Sequence, residues 1–202
     1  MKIGIFGGAF NPIHNGHLKI ATDFSNQLNL DFVLFIPTAD PPHKSSDSLV
    51  SFNYRFEMVK LAISGDDRFQ ISDIEFRMTG KSYTYNTLIE LKKIYPNDDF
   101  YLIMGADQFL SFDKWYRYKD IIALASICTT SRENDEEKSR ITEKSKSLEA
   151  LDFNRFYLSE SDTFTVSSSQ IRRMIADNQD VSALIPKEVY FYIKEKGIYT
   201  LQ

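Results

Sequence analysis

The feature that most constrains the fold is an alternation at the start of the chain. Residues 2–6 read as a short buried strand that Gly7 and Gly8 break. Leu18, Ala21, Phe24 and Leu28 then recur at helical spacing, and a second apolar stretch, residues 32–36, is stopped by Pro37. Strand, helix and strand in that order give a right-handed crossover between parallel strands. The same rhythm predicts a helix over 52–64, a β-rich stretch over 69–76, a helix over 84–95 and strands at 100–104, 125–129 and 155–158. An α/β fold follows, with a mostly parallel, doubly wound sheet and helices on both faces. Two closing helices are expected near 169–176 and Lys187–Lys196, the second stopped by Gly197. The 202 residues, 43% apolar and 26% charged, suffice for one sizeable core. The expectation is a single domain spanning 1–202, with its C-terminal helical part from about 167 onward.

Charge and composition narrow the partners. With 28 acidic against 24 basic residues and a net charge of -4, the chain lacks the overall positive field of a non-specific nucleic-acid binder. Small-molecule partners fit better. The opening strand pattern and the lack of any apolar run of roughly 18 residues lead to the expectation of no export signal and no membrane span. Cys128 is the lone cysteine and lies in an apolar run, so it reads as a buried, unreactive thiol compatible with a reducing cytoplasm. Residues 132–149 are dense in charge and read as a solvated helix with Ile141 and Leu148 turned inward, a binding role being the alternative. Oligomeric state is left open, a homo-oligomer being compatible.

Ligands of open parallel sheets bind beyond the carboxyl ends of the strands. After the first strand stands GGAFNPIHNGH, residues 7–17, with two leading glycines, a proline and two histidines. Glycines let backbone N–H groups approach a phosphate closely, and the following helix N-terminus adds unpaired donors. The segment matches neither the six-position dinucleotide fingerprint nor the phosphate loop ending in Gly-Lys-Ser/Thr. His14 and His17 stand three apart, on one side of the opening helical turn, where both could reach one phosphate chain. With His43 and a carboxylate they could instead form a zinc site.

Before the closing helices, Ser167 followed three residues later by Gln170 makes a capping box, and Arg172 falls in the first turns of the helix so begun. A cation there is disfavoured by the helix dipole unless an anion is present. A polyphosphate would supply one, although Arg172 could also face water or a local acid. Pro42, His43 and Lys44 lie in a long connection after the second strand, which reads as a functional loop or as plain surface. Trp115, the lone tryptophan, reads on composition as a core anchor. Asp107, directly after a strand, reads as a helix N-cap.

Seven positions, Gly7, Gly8, Phe10, Pro12, His14, Gly16 and His17, recur together by chance far below roughly one in a million sites. They resemble the signature of the nucleotidyltransferase superfamily, whose second half is H-x-G-H. The run VSSSQIRR is similar to that superfamily's second signature, I-S-S-T-x-I-R, with Ser169 where threonine is more usual. Pro-Pro-His-Lys at 41–44, Ser-Tyr-Thr at 82–84, Gly-Ala-Asp at 105–107 and Lys-Trp-Tyr at 114–116 resemble the nicotinate mononucleotide adenylyltransferases over nearly the whole chain.

The resemblance implies a Rossmann-like fold and adenylyl transfer from ATP to nicotinate mononucleotide, a step of NAD biosynthesis that gives deamido-NAD and pyrophosphate. It implies that Gly7, Gly8, Ala9, Phe10, Gly105, Ser167, Ser168, Ser169 and Ile171 bind ATP with His14, His17 and Arg172, and that Asp107 reaches the ribose hydroxyls. His14 would meet the α-phosphate, His17 the α/β region, and Lys44 and Arg172 the flanking phosphates. Pro42, His43, Lys44, Tyr83, Thr84, Trp115 and Tyr116 would form the acceptor side. Arg132 stands where the family has arginine followed by Pro-Gly, but Glu133 and Asn134 follow it here. Mg²⁺ would accompany ATP, held mostly by substrate oxygens and water. Another acceptor, such as nicotinamide mononucleotide or phosphopantetheine, and a nucleotide-binding module without turnover are the competing readings.

Overall fold

A computed structural model describes residues 1–41, 49–131, 135–149, 155–159 and 166–200. The chain runs β1 (Lys2–Gly8), α1 (Asn15–Leu28), β2 (Phe32–Pro37), α2 (Phe52–Ile63), β3 (Phe69–Ile71), α3 (Ile74–Arg77), α4 (Thr84–Ile94) and β4 (Asp99–Met104). It continues with α5 (Ala106–Leu110), a 3₁₀ turn (Phe112–Lys114), α6 (Tyr118–Leu124), β5 (Ala125–Thr130), α7 (Asp135–Glu149), β6 (Phe156–Ser159), α8 (Ser168–Ala176) and α9 (Lys187–Lys196). The strands form one sheet in the order β3-β2-β1-β4-β5-β6, and each of these pairings is parallel. This is a doubly wound sheet whose strand order reverses between β1 and β4.

Strict alternation along the strands divides the core. Phe6, Val33, Phe35, Tyr101, Ile103 and Cys128 point to one face, where α1, α2, α8 and α9 supply Phe24, Met58, Val59, Ile171, Ile175, Val189 and Ile193. Ile3, Ile5, Leu34, Ile36, Leu102, Met104 and Ile127 point to the other, covered by Ile74, Leu88, Leu91, Phe109, Phe112 and Ile121 of the segments between β3 and β5. Each such side chain taken from water contributes about 1.5–3 kcal/mol. Ile141 and Leu148 of α7 are buried on this second face, as their spacing anticipates. The two C-terminal helices complete the first face rather than hanging from it. Burial pushes the Cys128 thiol well above its ordinary pKa, which makes it inert. No helix among the described residues is long and apolar enough to cross a membrane.

Two local expectations are corrected. Gly7 and Gly8 do not end β1: they pair with Ile36 and Pro37, because an extended glycine keeps its place in a parallel ladder. The β-rich stretch 69–76 holds only a three-residue strand. Ser72 Oγ accepts from the Ile74 N–H at 3.2 Å and Asp73 O from the Phe76 N–H at 2.9 Å, so local turn chemistry starts α3 instead. Helices α5 and α6, of five and seven residues, are too short to show a period in sequence.

On the β4 side, the β1 ladder ends at Ile5 opposite Leu102, while β1 continues to Gly8 against β2. The central strands therefore part above Ile5, at the point of reversal, and the crevice opens there. Below it packing is tight. A Cβ on Gly4 would stand 2.9 Å from Leu30 Cδ1, 3.0 Å from Val33 Cγ2 and 3.2 Å from Ile103 Cδ1. Gly4→Ala is expected to cost about 1–3 kcal/mol by overpacking, read as a lower urea midpoint at unchanged slope; an unshifted midpoint would contradict this packing.

Candidate active site

The segment leaving β1 is built around aromatic rings. Phe10 has φ 44, a left-handed conformation, and its side chain is buried against Phe6 and Phe35. Gly8 lies beneath that ring: a Cβ there would meet Phe10 Cζ at 3.1 Å. Gly7 differs, since a Cβ on it would meet nothing within 4 Å, so open space rather than packing lies over it. Gly105, after β4 on the far side of the crevice, has the same open space. Phe10 thus shapes the floor of the site rather than presenting its ring to it.

His14 is the N-cap of α1 and His17 its third residue. The His14 N–H donates to His17 Nδ1 at 3.2 Å, and the two imidazoles stack with centroids 3.7 Å apart. Spacing in sequence put both on one side of the turn, and the fold brings them into ring contact. The edges of Phe10 and Phe6 meet His17 at 5.1 and 5.9 Å. Burial, and secondarily the neighbouring His14, hold the His17 pKa well below its ordinary 6.5. Because Nδ1 accepts, the neutral ring carries its proton on Nε2 and can donate from there.

Helix α8 docks on the same loop. Ser167 caps it, accepting from the Gln170 N–H at 3.2 Å, which is the N-cap half of the expected capping box. Ser168 Oγ donates to Pro12 O at 2.8 Å. Arg172 donates from Nη1 to Asn11 O at 2.7 Å and from Nη2 to Ser169 Oγ at 3.2 Å. These bonds use part of the guanidinium fork and leave further N–H donors for an anion. Ile171 differs from the expectation of ligand contact: its side chain is fully buried in the core and its N–H is bound to Ser167 O, so it anchors the helix.

Three residues that the motifs did not single out also hold this loop. Asn11, 2% exposed, accepts at Oδ1 from the Tyr199 hydroxyl at 2.8 Å and from the Val50 N–H at 3.4 Å. Arg55, also 2% exposed, donates to Ala9 O at 2.9 Å and to Val50 O at 3.0 Å. A buried guanidinium persists only with such partners. A signal for Arg55 did exist, since it shares a helical stripe with Met58, Val59 and Ile63.

On the side that the resemblance assigns to the acceptor, Ser82 is tied to the connection after β2, its N–H donating to Asp40 O at 2.9 Å and its Oγ accepting from the Asp40 N–H at 3.1 Å. Tyr83 and Thr84 begin α4. The Tyr83 ring lies 4.7 Å from that of Tyr116, which is exposed, and Arg117 covers Tyr85 at 4.0 Å. Trp115 is half-buried edge-on to Phe112 at 5.4 Å, so it is anchored in the core and still keeps exposed surface. Beneath α4, buried Glu75 accepts from Thr87 Oγ1 at 2.9 Å, and burial raises its pKa. Asp107 does not cap α5: Gly105 does, and Asp107 stands exposed in the first turn. Pro42, His43, Lys44 and Arg132 lie outside the described residues. Among the described residues, no group of three His, Cys, Asp or Glu side chains is placed to hold a metal ion.

Comparison with known proteins agrees with this architecture. Residues 5–174 match the cytidylyltransferase-like family model. The chain is 39% identical over 213 residues to the probable nicotinate-nucleotide adenylyltransferase of Pelobacter propionicus, covering 99% of both chains. It is 39% identical over 198 residues to that of Clostridium tetani, covering 98% of each. In fold it is similar to the Plasmodium falciparum nicotinic acid mononucleotide adenylyltransferase solved in complex with NaAD, with a TM-score of 0.79 and 22% identity over 98% of this chain and 97% of that one. By the family-model match over residues 5–174 and this full-length likeness, the chain belongs to the nicotinate-nucleotide adenylyltransferase group of the cytidylyltransferase-like family.

Proposed function

We propose that this protein transfers the adenylyl group of ATP to nicotinate mononucleotide, giving deamido-NAD and pyrophosphate, with residues 1–202 acting as one catalytic unit. The observation that carries this reading is that the loop after β1, which begins at a glycine with open space above it, bears the stacked His14 and His17 and is held at Asn11 O by Arg172 of α8. The names of the full-length relatives support the choice of acceptor.

The acceptor's phosphate oxygen attacks the α-phosphorus of ATP in line, the α–β bridge bond breaks, and pyrophosphate departs. A phosphomonoester with a second pKa near about 6 is already mostly dianionic at neutral pH, so no general base is needed. Catalysis then consists of positioning two anions and neutralising the charge that develops on the leaving group. In this assignment His14 and His17 donate to the α- and β-phosphates, and Arg172, Lys44 and the serines at 167–169 take the remaining oxygens. Asp107 accepts from the ribose hydroxyls. The exposed surface of Trp115 stacks on the pyridine ring, and N–H groups near Thr84 and Tyr116 donate to its carboxylate. The described site groups are imidazoles, hydroxyls and a guanidinium rather than clustered carboxylates, a set that suits Mg²⁺ carried on ATP's own oxygens, where it would offset triphosphate charge.

Incubation with ATP, Mg²⁺ and each mononucleotide, with the product identified by chromatography and mass, is expected to yield deamido-NAD at a higher kcat/KM than NAD. Faster use of nicotinamide mononucleotide or phosphopantetheine would move the assignment to that acceptor. His17→Ala should lower turnover roughly a hundred- to a thousandfold in a folded protein, and wild-type rates would remove this histidine from the mechanism. Trp115→Ala should raise KM for the mononucleotide while leaving KM for ATP near its original value; the reverse pattern would refute the stacking assignment.

The His17 environment also predicts a pH dependence. Its folded pKa lies below the unfolded value near 6.5, so the contribution of its neutral form to stability is complete above that pH and is lost as pH falls below it. NMR titration of the free protein should place the His17 midpoint below 6.5, and ATP should move it upward. A midpoint at or above the ordinary value before ATP is added would mean that the ring is solvated.

A further inference from the structure

We propose that Tyr199, at the end of the described chain, is a positioning residue for the triphosphate site: its hydroxyl acts through Asn11 to hold the phosphate loop and Arg172 in register for ATP. The proposal rests on the adenylyl-transfer reading of that site and adds to it a residue that no motif marks.

The contacts form one connected set. Tyr199 Oη donates to Asn11 Oδ1 at 2.8 Å, and the backbone carbonyl of the same Asn11 accepts from Arg172 Nη1 at 2.7 Å. Asn11 therefore joins the last turn of the chain to the cation of α8 within one residue of the loop. The next carbonyl, Pro12 O, accepts from Ser168, and Asn15 at the start of α1 is tied to Ala183 and Leu184. The C-terminal segment thus grips the loop at three successive points, and Tyr199 holds the one that carries the arginine.

Two further observations separate Tyr199 from ordinary packing. Its backbone has φ 67, in the left-handed region that a bulky side chain rarely adopts, directly after the α9 stop at Gly197 and Ile198. Such a conformation persists where surrounding contacts over-determine it. The hydroxyl also lies close enough to Arg172 and Arg55 that both oppose the larger effect of burial on its pKa. The phenol donates to Asn11, whereas a phenylalanine ring would fill the same space with no polar group. Without the hydroxyl, Asn11 Oδ1 keeps from this pair of donors only the longer bond from the Val50 N–H, at 3.4 Å. The Asn11 amide and the carbonyl that anchors Arg172 are then less firmly held.

The test is Tyr199→Phe in the full chain, with thermal melts to establish that it is folded at the assay temperature. Expected is a rise of about three- to tenfold in KM for ATP, with KM for the mononucleotide within error of wild type. Asn11→Ala and the double variant complete a cycle: if Tyr199 acts through Asn11, the double variant has the ATP KM of Asn11→Ala alone. An unchanged ATP KM in Tyr199→Phe, an equal rise in both KM values, or independent multiplication of the two single effects would each overturn the proposal. ATP affinity is also read by calorimetry on wild type and Tyr199→Phe. If wild type forms no dinucleotide, the functional reading fails, and the calorimetric difference still decides the role of Tyr199.

Discussion

The bond between the His14 N–H and His17 Nδ1 governs the chemistry of this site. It closes the first turn of α1, sets the tautomer of His17 and brings the two imidazoles into a stack. A loop that has left the sheet ladder has no inherent reason to hold that geometry. Here it is held by rings beneath, where Phe6, Phe10 and Phe35 pack, and by polar groups from distant parts of the chain: Arg55 on Ala9, Tyr199 and Arg172 on Asn11, and Ser168 on Pro12. Buried carbonyls that lack a helix or sheet partner must be satisfied somewhere, and these side chains satisfy them.

The electrostatics follow from the same packing. His17 among phenylalanine edges is costly to charge, so it waits as a neutral donor, while the permanent cation, Arg172, is only half-buried and spends part of its fork on the loop. In the proposed function, an arriving triphosphate would reverse the balance by supplying the negative charge that both groups lack. Adenylyl transfer needs little more than this, because the attacking phosphate brings its own charge.

Much of the architecture was legible because burial imposes a period. Apolar runs such as residues 32–36 and 100–104 read as buried strands, Ile141 and Leu148 showed their inward face through helical spacing, and Ser167 with Gln170 marked the start of α8. Where local chemistry overrode the pattern, the reading failed. Gly7 and Gly8 stayed in the ladder, and Ser72 and Asp73 turned an apolar stretch into α3. Phe10 and Ile171 kept their places in the motifs while their side chains turned into the core.

The sequence by itself determined the parallel sheet, the glycine- and histidine-bearing segment between its first strand and helix, and the Ser167 cap that opens α8 with Arg172 in its first turns. Each of these depends on residue type and spacing over a few turns of chain. Only the tertiary structure decided that Asn11 is the meeting point of Arg172 and Tyr199, that Arg55 lies buried beneath Ala9, and that open space stands over Gly7 but not over Gly8. Those facts depend on partners up to 188 positions apart, and a hydrogen bond across that distance leaves no periodic trace along the chain.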